Sequence, residues 1–158
     1  MTRLVPGIAF CIALMSAPAT SLAAPTDKVA CTVRAMHGLE VAGEIDKRLK
    51  ALEKKLKRPP FSPYKRIQLL QAKKLTIAQS GYQQTALPDG KVLKLTFKEK
   101  LLLKGRLRVR MHLELTEPKS KKLLARTVYS IADGGTFLVA GAKYKGGIMI
   151  IGITCKAR

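Results

Sequence analysis

The sequence predicts an α+β fold: an antiparallel sheet of about seven or eight strands, sandwich-like or curled into a half-barrel, with one amphipathic helix across it. Three observations carry this. From Arg106 to Leu115, apolar Leu107, Val109, Met111, Leu113 and Leu115 alternate with Arg106, Arg108, Arg110, His112 and Glu114, the period of a strand covered on one face. Ile45, Leu49, Leu52 and Leu56 recur at intervals of four, three and four, one stripe on a helix. The closing stretch from Asp133 to Cys155 reads turn, strand, glycine-bracketed turn, strand. Its last run, Ile148 to Thr154, is apolar on both faces and needs protein on both sides.

The first residues stand apart. Arg3 precedes an apolar core from Leu4 to Met15, and Ser21-Leu22-Ala23 supplies the small residues a signal peptidase reads. This predicts a secretory signal peptide over residues 1–23, cleaved between Ala23 and Ala24, and one domain over residues 24–158. Pro6 and Pro18 interrupt the run, which argues against a membrane anchor. Cys11 follows Phe10 rather than a small residue, so no lipid anchor is expected, and the mature chain shows no transmembrane helix. The expected location is the periplasm or the exterior.

After the leader, Val29, Cys31, Val33 and Ala35 alternate as a strand that His37-Gly38 is expected to end. The helix follows. Glu44 and Asp46 lie at its start, and Lys54, Lys55, Lys57 and Arg58 at its end, matching its dipole. Pro59-Pro60 stops it. Phe61-Ser-Pro-Tyr64 is an aromatic connector that staples the helix end to the sheet. Lys65 to Leu75 reads as a strand with an irregularity near Gln71. Gly81 and Leu87-Pro-Asp-Gly90 signal turns. Leu93, Leu95 and Phe97 then face one way, and Lys94, Thr96 and Lys98 the other. After the arginine strand, Glu117-Pro-Lys-Ser120 turns the chain. Leu123, Ala125, Tyr129 and Ile131 are expected on one side of the next strand, with Arg126 on the other.

Charge narrows the function. Without Arg3 the chain has 29 basic and 10 acidic side chains, a net charge of +19. So basic a protein associates with polyanions or anionic surfaces. The candidates are lipopolysaccharide, acidic polysaccharide and phospholipid headgroups. The few aromatics and the absence of Trp argue against a stacking platform, so specific nucleic-acid binding is not expected. Candidate anion-binding residues are Lys94, Lys98, Arg106, Arg108 and Arg110, which form one patch if their two strands make a hairpin through Leu101 to Lys104, and Arg126, which would extend it. Such a row also serves as a solvated face that keeps a sheet soluble.

Catalytic chemistry is not expected. The carboxylates are scattered, His37 stands beside a turn glycine, and His112 shares the arginine face. No HExxH or paired CxxC spacing is present, and no cofactor is expected. Gly134-Gly135 and Gly146-Gly147 precede strands, whereas a phosphate loop needs a helix behind its glycines. Cys31 and Cys155 are an even pair in an exported chain, and so candidates for a disulfide joining the first strand to the last.

The connector PFSPYKRIQLL, the LPDG turn and the closing GG-x-x-x-V-x-G and Y-x-x-G hairpin together resemble a group of small exported bacterial α+β proteins of unassigned function. The resemblance spans nearly all the mature chain and implies a fold and a compartment, with no chemistry attached. The leading expectation is a non-enzymatic module binding an anionic polymer or envelope surface. The alternative is an accessory subunit of an envelope or secretion assembly, docking on a protein partner through a strand edge.

Overall fold

The computed structural model describes residues 27–158. The leader and its cleavage site lie outside the described residues. The chain forms two four-stranded antiparallel sheets packed face to face. The first holds β1 (Lys28–Leu39), β2 (Arg66–Ala78), β7 (Thr136–Tyr144) and β8 (Gly147–Ala157), in the order β2-β1-β8-β7. The second holds β3 (Tyr82–Ala86), β4 (Val92–Leu103), β5 (Arg106–Thr116) and β6 (Leu123–Ala132), in chain order. One apolar core fills the space between them. Val29, Val33 and Ile153 come from the first sheet, and Leu95, Phe97, Met111 and Leu113 from the second.

β8 is covered on both faces, as its composition demands. Met149, Ile151 and Ile153 enter the inter-sheet core. Ile150 points the other way, into a second cluster with Met36, Ile67, Leu49, Leu52, Leu56 and Phe61. The helical segment supplies that cover and Phe61 seals its end, so the apolar stripe does what its spacing predicts. The segment is less regular than expected. Lys47–Leu52 is a 3₁₀ helix, and only α1 (Glu53–Leu56) is α-helical. The intervals suit this split: residues three apart eclipse in a 3₁₀ turn, which fits Leu49 and Leu52, and the next step of four fits an α turn. Ile45 is not helical, because it forms a parallel bridge with Ile67 of β2. Asp46 pins that junction. Its N–H donates to Ile67 O at 2.8 Å. Its carboxylate accepts from the N–H of Arg48 at 2.9 Å and of Leu69 at 3.3 Å. These bonds, with the Arg48 side chain first among them, hold Asp46 well below the usual carboxylate range.

Other differences are local. β1 does not end at His37-Gly38 but runs on to Leu39. Gly38 serves close packing there, since a Cβ would sit 2.9 Å from Ile150 Cδ1. The irregularity near Gln71 is a bulge, with Ala35 opposite Gln71 and Met36 opposite Leu69. The short, polar β3 falls outside the strands that apolar periodicity predicts, because it is an edge strand with little apolar surface. β6 is covered over half its length. Tyr129 and Ile131 are buried, while Leu123 and Ala125 are exposed. Burial raises the Tyr129 phenol, and its ring stacks on Phe137.

Cys31 and Cys155 face each other across β1 and β8, with Cα atoms 4.1 Å apart, and are joined as a disulfide. Both are buried in the inter-sheet core. The expected first-to-last strand pairing is therefore present.

Candidate anion-binding face

β4 and β5 are a hairpin, but its turn is tighter than the sequence suggested. Lys104 and Gly105 are the two turn residues, with φ of 49° and 71°. Two consecutive positive φ values mark a type I′ turn, whose twist suits a two-residue hairpin. Lys145-Gly146, with φ of 42° and 77°, repeats the solution between β7 and β8. Strand pairing consequently reaches Leu103 opposite Arg106. A bulge at Lys98 shifts the register between Phe97 and Glu99.

All six candidate cations belong to this open sheet, whose outer side faces away from the inter-sheet core, but the expected continuous cationic patch is divided. Lys94 does not meet an arginine; it pairs in register with Glu114, which also faces Arg126 of β6. Lys94 Nζ lies 3.2 Å from Glu114 Oε2, and Arg126 Nη2 lies 2.8 Å from Glu114 Oε1. His112 Nε2 is 4.0 Å from the same carboxylate. The Lys94 hydrogen bond holds the Glu114 carboxyl below its ordinary value; partial burial opposes that, and Arg126 adds to the lowering. One step along the ribbon, Arg110 Nη1 is 2.7 Å from Glu99 Oε1. Three of the six cations are therefore paired with two carboxylates, Glu99 and Glu114, which leaves a single net positive charge among these five groups.

The other three have no carboxylate partner among the described residues. Arg108 donates to the hydroxyl and carbonyl of Ser130 on β6, which leaves its charge uncompensated. Lys98, lifted by the bulge, and Arg106, next to the turn, are exposed, and so is Lys104. The face thus runs from a compensated end at Lys94, Glu114 and Arg126 to a cationic end at Lys98, Lys104, Arg106 and Arg108.

Elsewhere the chemistry-bearing residues are occupied structurally. His37 is buried, with Nε2 2.9 Å from Tyr144 O and its ring edge-on to that tyrosine. The two cysteines are bonded to each other, so neither offers a thiolate. Among the described residues no group of His, Cys, Asp and Glu is placed to hold a metal ion, and no helix is long and apolar enough to cross a membrane. A cleft of about 920 Å³ between the helical segment and the connector is lined by Lys47, Lys50, Lys57 and Lys65, with Glu44, Asp46 and Glu53 among them, so it carries both signs of charge. No family model, curated protein or solved structure matches the chain.

Proposed function

We propose that the chain is a non-enzymatic, exported basic module that binds an anionic polymer or envelope surface through the outer face of its open sheet and the lysines of the helical segment. The observation that carries this reading is the cationic end of the face. Lys98, Lys104, Arg106 and Arg108 gather at one end of a ribbon with no carboxylate to neutralise them. Like charges side by side on a sheet cost stability, and the two glutamates that relieve this elsewhere on the face are absent here. The disulfide supports an oxidising compartment.

The test compares two triple variants on immobilised heparin at matched salt. Lys98→Ser/Arg106→Ser/Arg108→Ser removes uncompensated charge, and Lys94→Ser/Arg110→Ser/Arg126→Ser removes compensated charge. The first is expected to elute at markedly lower salt than the second, because each unpaired cation releases counterions on binding. Equal elution of both variants and the parent protein would reduce the face to a solvated surface.

A second reading is supported by β6, whose outer edge is unpaired among the described residues and whose Val128 is 59% exposed. That edge suits strand addition by a protein partner. Binding by that route would be nearly insensitive to salt.

A further inference from the structure

The β4–β5 ribbon outruns its sheet. β3 pairs with β4 only as far as Tyr82 opposite Thr96. On the other side, β6 leaves β5 at Ala132 opposite Arg108, with one further bond from Asp133 N to Leu107 O. Beyond those points Leu101 to Leu107 stand as a two-stranded ribbon closed by Lys104-Gly105. About three residues of strand project, roughly 10 Å at about 3.3 Å per residue.

What projects carries leucines on both faces, with arginines beside them on the outer one. Because of the Lys98 bulge, Leu101 and Leu103 share the outer face with Arg106 and Arg108, while Leu102 and Leu107 fall on the inner face. An inner-face residue should pack on the opposite sheet, but that sheet stops short. Leu102 is 75% exposed and Leu103 55% exposed, and among the described residues Leu102 is the most exposed large apolar side chain. Between Leu101 and Leu113 there is no acidic residue. The nearest described carboxylates are engaged: Asp27 with Lys100, Glu99 with Arg110, and Asp133 with the N–H of Ala157.

We infer that this hairpin tip inserts into the interface of an anionic phospholipid bilayer, with its leucines below the headgroups, Lys98, Arg106 and Arg108 on the phosphates, and the Lys104 side chain reaching back to them from the turn. A groove on a protein partner would cover one face of a ribbon. A wedge with exposed leucines on both faces and cations beside them suits a boundary where acyl chains surround the leucines and phosphates meet the cations. The projection matches the roughly 5–10 Å depth to which interfacial segments bury their apolar side. Long basic side chains at the base of the tip can extend their stems along the apolar layer and keep their charges among the headgroups. Each such charge adds to the attraction of an anionic surface. The inference rests on the anion-binding reading and names a bilayer as its surface.

The experiment uses the chain starting at Ala24, with vesicles of phosphatidylglycerol and phosphatidylcholine, vesicles of phosphatidylcholine alone, and heparin as a polyanion without acyl chains. The protein has no tryptophan, so Leu102→Trp reports its surroundings without background. Its emission is expected to shift to the blue, and to be quenched by bromine-labelled acyl chains, on the anionic vesicles alone. Leu102→Ser/Leu103→Ser is expected to lose about tenfold or more in affinity for those vesicles, since leucine burial is worth at least that factor, while heparin elution stays unchanged. Both leucines are exposed, so the fold should tolerate the change. Heparin binding with no blue shift and no loss on leucine substitution would overturn the inserting tip and leave the anion-binding reading standing. Failure to bind heparin or either vesicle would overturn both. A blue shift that grows with protein concentration in the absence of lipid would assign the tip to self-association and overturn the bilayer.

Discussion

β8 and β5 are both central strands of four-stranded sheets, and they are buried in different ways. β8 is enclosed on both sides, its odd-numbered residues by the opposite sheet and Ile150 by the helical segment. β5 buries Val109, Met111, Leu113 and Leu115 on one side and presents arginines, His112 and Glu114 on the other. The closed sheet carries the disulfide and takes part in both apolar clusters, whereas the open sheet shares only the inter-sheet one. The open sheet has one covered face, and its free face holds the charge. Substitutions should therefore act on stability in one sheet and on binding in the other.

The largest expected effect lies in the closed sheet. The Cys31–Cys155 bond spans a sequence separation of 124. The chain-entropy model assigns about 4 kcal/mol or somewhat more to such a loop, with native strain and residual unfolded structure lowering it. Cys155→Ser should lower the melting temperature under oxidising conditions by about ten degrees. Reductant should lower the parent by a similar amount and leave the variant nearly unmoved. Two titratable thiols in the folded, oxidised parent would remove the bond from the comparison altogether.

Next in size is the double burial of β8. Ile150 is fully buried beneath the helical segment. Ile150→Ala leaves a cavity there and should cost about 3 kcal/mol. Val128→Ala removes an exposed methyl-bearing side chain from the open sheet and should change stability by no more than about 0.5 kcal/mol. Denaturant midpoints of the two variants make the check, and similar losses in both would mean that the sheets do not differ as described.

Sequence periodicity revealed most of the closed sheet and less of the charged face. The apolar stripe from Leu49 to Leu56 and the two-faced run of β8 report burial directly, and burial is what these elements have in common. The helix start was not legible, because a tertiary bridge between Ile45 and Ile67 overrides local helical spacing. The charge pairing was hidden behind a register problem. With a two-residue turn at Lys104-Gly105 and no bulge, Leu95 would face Glu114, and Phe97 would face His112. A one-residue bulge restores apolar to apolar pairing, with Leu95 opposite Leu113 and Phe97 opposite Met111. Only then does Glu114 fall opposite Lys94. The mismatch between turn length and the two apolar patterns was present in the sequence and is the signal that could have found it.

A small stability effect, and the sharpest test of the open sheet's charge, belongs to Glu114. Its carboxylate holds Lys94 and Arg126 at one end of the face, and its side chain is 13% exposed while Arg126 is 61% exposed. A half-exposed network of this kind contributes at most about 1 kcal/mol. Glu114→Gln should thus cost little stability. It should free two cations toward a polyanion, raising the salt concentration needed to elute the protein from heparin and steepening the salt dependence. Protonation should mimic the substitution. The folded-state carboxyl titrates below its ordinary value of 4.5, so its stabilising contribution is present above about pH 4.5 and is lost as pH falls through the folded value. Over the same window heparin retention of the parent should rise toward that of Glu114→Gln, and the variant should show a flatter profile. Retention that is the same for both proteins at neutral pH would mean that ligands reach the face only at its cationic end, and that the Lys94–Glu114–Arg126 ladder is structural.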